Sequence, residues 1–376
     1  MTKINFEKIN KGQLVTVVGN RPQFIKMTAV NRELERRKLS QVVLHTGQHY
    51  DHQMNQIFFD ELSISKPDLQ LSVSSASHGA MTGELLAKIE QVFMAIKPSG
   101  VLIYGDTNST LAAALAAVKL GIPVAHVESG PRLGNLETPE EVNRIIADHL
   151  STLRFASDAP SVDSLRREGI TKGVINTGDV MYDVFLTYAS ALANSSRAGN
   201  FSFKNTTVYV TLHRPQNVDD RDAHLKIIDF ISRSEANVIF PLHPRTQARI
   251  KDFGLMENYR ALPNLFLSGP LGYLDSIAAL LKSDYVITDS GGLQKEAYFA
   301  GKLAMLMLPK TPWPELHNSG WLTLGGWVRD GGMLDGFLAL RSAKKPALAP
   351  EIFGAGNAAK LIVNALVEHG FVREYL

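Results

Sequence analysis

Three residues that can exchange protons stand just after apolar, β-branched runs of the chain: Asp106, Glu128 and His213. Such runs predict buried strands. In parallel sheets, ligands bind at the carboxyl ends of the strands, so we expect these three side chains to lie where a ligand can reach them. Two carboxylates and an imidazole placed there could remove a proton from a substrate and return it, which is general acid–base chemistry.

The carboxylates also have structural explanations, which the sequence leaves open. Asp106 could cap a helix, and Glu128 could form an ion pair with Arg132 or Arg144. Glu140 follows a proline at a predicted helix start, where an acidic residue suits the helix dipole in any case.

Histidines and cations occupy the ends of other predicted strands. His213 and His243, taken singly, are more often satisfied structural histidines. Arg21 could be a solvated loop residue, and Lys26 could lie on the polar face of its helix. Three carboxylates, two histidines and two cations at strand ends are nevertheless hard to explain by stability alone, and their number favours a functional site.

The stretch from Asp289 to Glu296 predicts a strand that passes through two glycines into a helix. The free amides at such a helix start, together with its dipole, can bind a phosphate. We therefore predict that Ser290, Gly291 and Gly292 bind phosphate and that Glu296 accepts hydrogen bonds from a ribose diol. An ordinary capped turn with a solvated glutamate fits the same pattern, and the local pattern does not decide between the two.

Alternating strands and helices must position these residues. Apolar runs predict strands at residues 13–18, 41–45, 101–104, 123–127, 207–211, 237–242, 265–267 and 285–288. Helical spacing predicts helices at about 23–37, 54–62, 109–120, 293–300 and 357–369. This alternation indicates an α/β chain of two Rossmann-like domains, at residues 1–185 and 206–355, each with a doubly wound parallel sheet. Regular alternation is lost around 183–205, and residues 356–376 should place a helix on a domain surface.

Composition excludes several other functions. A length of 376 residues favours two domains, and a formal charge of +2 provides no basic field for nucleic acid or a membrane surface. Cysteine is absent, which excludes disulfides and thiolate chemistry. The polar N-terminal segment has no apolar core of a signal peptide, and no run approaches a membrane span, so we expect a cytoplasmic protein. We find no motif for a bound metal and no dinucleotide fingerprint, so we expect no cofactor.

Ten short motifs, in order, resemble the UDP-N-acetylglucosamine 2-epimerases of the GT-B fold. They are GNRPQFIK (19–26), HTGQH (45–49), YGDTNST (104–110), HVESG (126–130), PEEVNR (139–144), NTGDVM (176–181), LHR (212–214), PLHPRT (241–246), the 288–296 segment and TPWPE (311–315). Together they extend over nearly the whole chain. The details RPQFIK, SHGAMTG (77–83), PLHPRT and the Trp of TPWPE most resemble the branch that acts on UDP-2,3-diacetamido-glucuronic acid.

The resemblance implies two Rossmann-like domains with the active site in the cleft between them, a homodimer, and reversible inversion at C2 of a UDP-N-acetylated sugar. UDP would be eliminated with the C2 proton and then added back. The implied acid–base set is Asp106, Glu128 and Glu140, with Arg21, Lys26 and His213 near the diphosphate or reacting sugar. Arg144 and His243 complete the implied substrate site, and Ser290 and Glu296 hold UDP. Hydrolytic release of UDP, glycosyl transfer by another GT-B enzyme, and a catalytically silent UDP-sugar binding protein are the alternatives.

Overall fold

The chain forms two compact units in a computed structural model that describes residues 11–47, 66–73, 77–192, 206–347 and 352–372. Unit 1 comprises Met1–Val184 and Pro350–Leu376, and unit 2 comprises Phe185–Ala349. The helix Val180–Leu192 contains the point at which the chain passes from unit 1 to unit 2.

Unit 1 is built on a seven-stranded sheet in the order β3-β2-β1-β4-β5-β6-β7, and every paired strand is parallel to its neighbour. The adjacent interior strands β1 and β4 are buried along their whole length, as expected of a parallel sheet covered on both faces. The strands are β1 (Leu14–Val18), β2 (Gln41–His45), β3 (Leu69–Gln70), β4 (Gly100–Tyr104), β5 (Val124–Val127), β6 (Leu153–Ala156) and β7 (Val174–Asn176).

The helices of unit 1 connect these strands and begin at recognisable caps. Asn20 accepts a hydrogen bond from Gln23 N at the start of α1, and Thr107 and Thr110 form a capping box at the start of α3. The helices are α1 (Arg21–Arg36), α2 (His78–Ile96), α3 (Asn108–Lys119), α4 (Pro139–Leu150), α5 (Ala159–Arg167), α6 (Val180–Leu192) and the C-terminal α15 (Ala358–Glu368).

The C-terminal helix α15 belongs to unit 1, where it packs against α1. Arg37 Nη2 donates to Asn364 Oδ1 at 2.6 Å, and Asp183 accepts from the first amides of the helix, Ala358 N at 3.1 Å and Ala359 N at 2.8 Å. After the helix, Ser99 Oγ donates to the carbonyl of Phe371 at 2.6 Å. The end of the chain therefore completes the first unit.

Unit 2 repeats the same plan with six parallel strands in the order β10-β9-β8-β11-β12-β13. Its strands are β8 (Thr207–Thr211), β9 (Asn237–Pro241), β10 (Leu265–Ser268), β11 (Tyr285–Thr288), β12 (Leu303–Leu306) and β13 (Leu322–Leu324). Its helices are α7 (Pro215–Val218), α8 (Arg221–Arg233), α9 (Pro244–Asp252), α10 (Met256–Arg260), α11 (Tyr273–Lys282), α12 (Gly291–Phe299), α13 (Pro314–Asn318) and α14 (Met333–Ser342), with a 3₁₀ turn at Val328–Asp330.

The predicted α/β class with two doubly wound parallel sheets is confirmed. The irregular stretch predicted at 183–205 is wrong in its first part, because residues up to Leu192 are helical; apolar residues such as Val184 and Phe185 are buried and stabilise that helix. Residues 193–205 and the helix predicted at 54–62 lie outside the described residues. Among the helices that the structure describes, none is long and apolar enough to cross a membrane.

Candidate functional site

The strand order of unit 1 reverses between β1 and β4, which is the point where open α/β sheets bind ligands. The loop after β1 leads into α1, which carries Arg21 as its half-buried first residue and Lys26 one turn later. The loop after β4 carries Asp106. Glu128 follows the neighbouring strand β5. The topology therefore brings four of the predicted site residues to one edge of the sheet.

Two cations join the carboxylates into a chain of ion pairs. Lys26 Nζ lies 2.6 Å from Glu128 Oε1, and Arg144 Nη2 pairs with Asp106 Oδ2 and lies 3.7 Å from the same Glu128 oxygen. The side chains of Lys26, Glu128 and Arg144 are each about nine-tenths buried, and Asp106 is 29% exposed. One guanidinium therefore holds both candidate acid–base carboxylates beside each other.

Burial lowers the pKa of Arg144, but the attraction of Asp106, Glu128 and Asp148 outweighs burial and holds that pKa above its ordinary value. Arg144 is thus a permanent cation in this site. Of the two arginines that the sequence offered to Glu128, Arg144 pairs with it, whereas Arg132 pairs with Asp148 and Glu168. The cap of α3 is Thr107 rather than Asp106.

Glu128 has an unusual backbone, with φ of +65°. A left-handed conformation is uncommon for a side chain other than glycine and costs on the order of 1–3 kcal/mol at a strained site. Here the amide of Glu128 donates to the carbonyl of Phe155 at 3.1 Å, and the side chain is turned to Lys26. Strain of this kind clusters at functional positions, and here it orients a carboxylate.

Gln23 connects the two loops of the switch point, a role that the sequence analysis did not assign. Its amide nitrogen donates to the carbonyl of Tyr104 at 2.6 Å and lies 3.0 and 2.9 Å from Thr107 Oγ1 and Thr110 Oγ1. Its oxygen accepts from Gly19 N at 2.7 Å. The signal was present, since a glutamine inside an apolar helix start must be buried and satisfied.

The two glutamates at the start of α4 have different environments. Glu141 is buried and accepts hydrogen bonds from the amides of Leu133 and Gly134 at 2.9–3.0 Å, so it shapes the preceding loop. Glu140 is exposed in the first helical turn. It lies four residues before Arg144, and residues with this spacing share a helix face. Glu140 therefore lies on the side of α4 that faces Asp106.

Unit 2 has its own switch point, between β8 and β11, and the buried carboxylate of Asp289 lies at its centre. Asp289 accepts from His213 N at 3.0 and 3.1 Å, from Arg214 N at 2.9 Å and from Asn217 Nδ2 at 3.0 Å. Burial raises the pKa of Asp289, but the hydrogen bonds and charge of its partners, His213 first among them, lower this pKa by a larger amount. The net pKa of Asp289 therefore lies below its ordinary value.

The two histidines of unit 2 lie together, with ring centroids 5.2 Å apart. His213 Nδ1 lies 3.0 Å from Asp289 Oδ1, so Nε2 lies on the side of the ring away from Asp289. The side chain of His213 is one-third exposed. His243 is exposed, and its Nδ1 accepts from Arg245 N at 3.2 Å at the start of α9, so its proton is on Nε2. Each histidine thus has one ring nitrogen in a structural contact at the carboxyl end of its strand.

The helix α12 begins at Gly291, two residues before its predicted start, and Ser290 makes no side-chain cap. A Cβ added to Gly291 or Gly292 would meet no atom within 4 Å, so the glycines keep the approach to the first amides open. Glu296 is buried in the second turn. Trp313 packs beside this helix start: its indole N–H donates to the carbonyl of Gly291 at 3.2 Å.

Among the described residues, no group of three or more histidines and carboxylates is arranged to hold a metal ion. The charged groups of the unit 1 site are instead compensated by one another.

Comparisons with known proteins identify similar sequences and structures. The sequence profile of the family described as UDP-N-acetylglucosamine 2-epimerase matches residues 32–367. A UDP-N-acetylglucosamine 2-epimerase homolog of Methanococcus maripaludis is 40% identical over 365 residues, covering 94% of this chain and 99% of that protein. The UDP-2,3-diacetamido-2,3-dideoxy-D-glucuronate 2-epimerase of Pseudomonas aeruginosa is 39% identical over 363 residues, covering 95% of this chain and 99% of the other.

Solved structures show the same fold. The UDP-GlcNAc 2-epimerase of Methanocaldococcus jannaschii, in complex with UDP-GlcNAc and UDP, superposes with a TM-score of 0.85 at 32% identity, covering 95% of this chain and 99% of that one. MurG of Acinetobacter baumannii shares only the fold, with 13% identity and a TM-score of 0.56. These likenesses confirm the predicted GT-B class. The length and identity of the matches show that the chain belongs to the UDP-N-acetylglucosamine 2-epimerase family.

Proposed function

We propose that this protein catalyses the reversible inversion at C2 of a UDP-linked 2-acetamido sugar without hydrolysing it. The observation that carries the proposal is the chain Lys26–Glu128–Arg144–Asp106 at the switch point of unit 1. Two carboxylates held beside one guanidinium suit a reaction in which a proton leaves one face of a carbon and returns on the other.

In this proposal, Asp106, Glu128 and Glu140 form the acid–base set. The C2 proton of the sugar is weakly acidic, so its removal requires a positioned base while cations stabilise the departing diphosphate. The C2–H electrons form the C1=C2 bond of a 2-acetamidoglucal as the C1–O bond to UDP breaks. Protonation of C2 on the opposite face and return of UDP to C1 then give the epimer. Arg21, Lys26 and His213 stabilise the diphosphate, and Arg144 and His243 contact the substrate.

The residues of unit 2 bind the UDP portion. The uncapped amides at Gly291 and Gly292, with Ser290, bind phosphate at the positive end of α12. Glu296 binds the ribose. The relevant test is calorimetry of UDP with Glu296→Ala. We expect affinity to weaken by about 1.5–3 kcal/mol, the range for a hydrogen bond to a charged group. Unchanged affinity would contradict the ribose role.

The substrate is UDP-N-acetylglucosamine or its 2,3-diacetamido-glucuronate analogue. Relatives of both names match this chain over nearly its whole length, at 39% identity for the diacetamido-glucuronate enzyme and 35% for a UDP-N-acetylglucosamine 2-epimerase. We also propose that the protein acts as a cytoplasmic homodimer that supplies precursors of a surface polysaccharide, and light scattering on the purified protein tests the dimer.

Incubation with each UDP-sugar in D2O, followed by NMR, tests the reaction itself. We expect a product that is still UDP-linked, inverted at C2 and deuterated there. Release of free sugar with an equal amount of UDP would make the enzyme hydrolytic. Retention of protium at C2 through many turnovers would exclude elimination, and transfer of the sugar to an added acceptor would indicate a glycosyltransferase.

A further inference from the structure

A buried histidine–carboxylate pair lies behind the candidate acid–base residues. His126, in β5, and Asp148, near the end of α4, are both fully buried. Nδ1 of His126 lies 2.8 Å from Asp148 Oδ1, and Nε2 lies 2.7 Å from the carbonyl oxygen of Gly105. None of the roles proposed above for the reaction uses this pair.

The partners of the pair determine where its protons are. Asp148 Oδ2 accepts from Arg132 Nη1 at 2.8 Å and from Gly130 N at 3.1 Å. Burial raises the pKa of Asp148, but His126 and Arg132 lower this pKa by a larger amount, so the carboxylate is ionised. Both atoms that face the His126 ring are therefore acceptors. A carbonyl and a carboxylate can only accept, so the ring nitrogens are the donors of these two contacts.

The pair fixes the backbone that carries Asp106. Gly105 has a left-handed φ of +60°, and its amide donates to the carbonyl of Val127 at 3.0 Å. Its carbonyl is held by His126, so both of its polar groups are bound to β5. Gly105 lies beside the ion pair, since a Cβ added to it would be 3.5 Å from Lys26 Nζ. The Gly105 carbonyl belongs to the peptide that joins Gly105 to Asp106, so a rotation of that peptide would move Asp106 relative to the Lys26–Glu128 ion pair.

The helix α4 contributes to both ends of this arrangement. Asp148 is four residues after Arg144, which places the two on one helix face. Arg144 binds the carboxylate of Asp106, and Asn143 Nδ2 donates to its carbonyl at 3.0 Å. One helix thus holds the side chain of Asp106 directly and its preceding peptide through His126.

We propose that His126 is a positioning residue for the reaction: it holds the Gly105 carbonyl, and so fixes Asp106 beside the Lys26–Glu128 ion pair, while Asp148 binds the other nitrogen of its ring. The inference rests on the proposed function, because it requires Asp106 to act in the acid–base set. A purely structural pair would only satisfy the buried charge of Asp148. That role depends on Nδ1 of His126, which contacts Asp148, whereas positioning depends on Nε2, which contacts the Gly105 carbonyl.

Two amide variants separate these roles. The side-chain nitrogen of His126→Asn takes the place of Nδ1 and still donates to Asp148, but it does not reach Gly105. The nitrogen of His126→Gln takes the place of Nε2 and still donates to the Gly105 carbonyl, but Asp148 loses its histidine partner. Positioning predicts that the asparagine variant loses about a hundredfold in kcat, the cost of a misplacement of about 1 Å, with KM little changed. The glutamine variant retains most of kcat although it is the less thermostable of the two.

Asp148→Asn provides a further variant. Its amide can donate to Nδ1 of a neutral ring whose Nε2 still donates to Gly105, and its oxygen can accept from Arg132 and Gly130. We expect this variant to retain most of kcat, and it decides the matter together with His126→Gln if His126→Asn does not fold.

The measurements are kcat, KM and the midpoint of thermal unfolding for each variant. Equal loss of kcat in the two His126 variants, activity that follows thermal stability, or a hundredfold loss in a folded Asp148→Asn would overturn the positioning role. Absence of epimerisation by the wild-type protein, with UDP still bound, would instead remove the proposed function and this inference with it.

Discussion

Asp289 provides the most demanding test of the unit 2 site. In Asp289→Asn, the amide oxygen best replaces Oδ2, where it can still accept from Arg214 N, Asn217 Nδ2 and His213 N. The amide nitrogen then faces His213 Nδ1, which must become an acceptor. The contact of His213 N with Oδ1 is lost, because an amide nitrogen cannot accept it; the three contacts with Oδ2 survive without the charge.

The magnitude follows from those contacts. Three hydrogen bonds to a carboxylate, about 1.5–3 kcal/mol each, become bonds to a neutral amide, about 0.5–1.5 kcal/mol each. The loss is about 3–4.5 kcal/mol, partly offset because a buried charge no longer has to be desolvated. We expect unit 2 to lose about 1–3 kcal/mol in its free energy of unfolding, and UDP affinity to fall because His213 has lost its anionic partner.

Tryptophan fluorescence during urea unfolding measures this change in unit 2. All three tryptophans of the chain, Trp313, Trp321 and Trp327, lie in that unit. Asp219→Asn is the matched control: the half-buried Asp219 pairs with the exposed side chains of Arg245 and Arg249, and a pair near the surface contributes about 0–1 kcal/mol. An Asp289→Asn variant with wild-type stability and UDP affinity would refute the view that this carboxylate organises the site.

Three further predictions concern unit 1. Asp106→Asn and Glu128→Gln should each lower kcat by about a hundredfold or more in the epimerisation assay, while the exposed control Asp229→Asn should not; near-normal rates in the first two would remove the acid–base set. His45 is buried, and burial lowers its pKa to about 4 from 6.5; the unfolded chain therefore takes up its proton first as the pH falls from 6.5 to 4, and stability is lost over that window. His45→Leu should lessen this acid sensitivity in urea unfolding followed by circular dichroism, and an unchanged pH dependence would contradict it. Burial raises the pKa of Asp183 from 3.8 to about 6, so its contribution is fully present below pH 3.8 and is lost as the pH rises through 6; Asp183→Asn should gain stability relative to the wild-type protein between those values, and a constant difference would show that the residue does not titrate there.

Local patterns predicted eight of the thirteen strands that the structure describes, and missed β3, β6, β7, β12 and β13. The runs at 41–45, 207–211 and 285–288 form strands with those bounds, because continuous β-branched and apolar residues suit a sheet buried on both faces. The start of α1 was predicted two residues late, since a proline in the first turn is compatible with the helix. The 19-residue helix α2 was not predicted: its first turns hold glycines and small residues, which give weak periodicity.

The site shows a similar division. The rule that ligands meet strand ends placed Asp106 and Glu128 at the same edge of the sheet, but it could not say which cations pair with them. Besides Arg144, Glu128 proved to pair with Lys26, which is 102 residues away along the chain. Asp289 and His126 lie in the motifs 288–296 and HVESG (126–130), but the sequence assigned neither of them a role of its own. Asp289 follows the end of a strand and His126 lies within one. Each is buried and must form hydrogen bonds with groups distant in sequence, which a local pattern does not show.

The grouping of the last helix with the first unit has a consequence for biosynthesis. Residues 185–349 form a continuous unit, which can fold as soon as it has left the ribosome. Most of unit 1 is made first, but the surfaces of α1 and of β4 that receive α15 and Phe371 stay uncovered until residues 358–371 are translated. The first unit to be made is therefore the later one to mature, and a ribosome that stalls before residue 358 leaves it with exposed apolar surface for chaperones to bind.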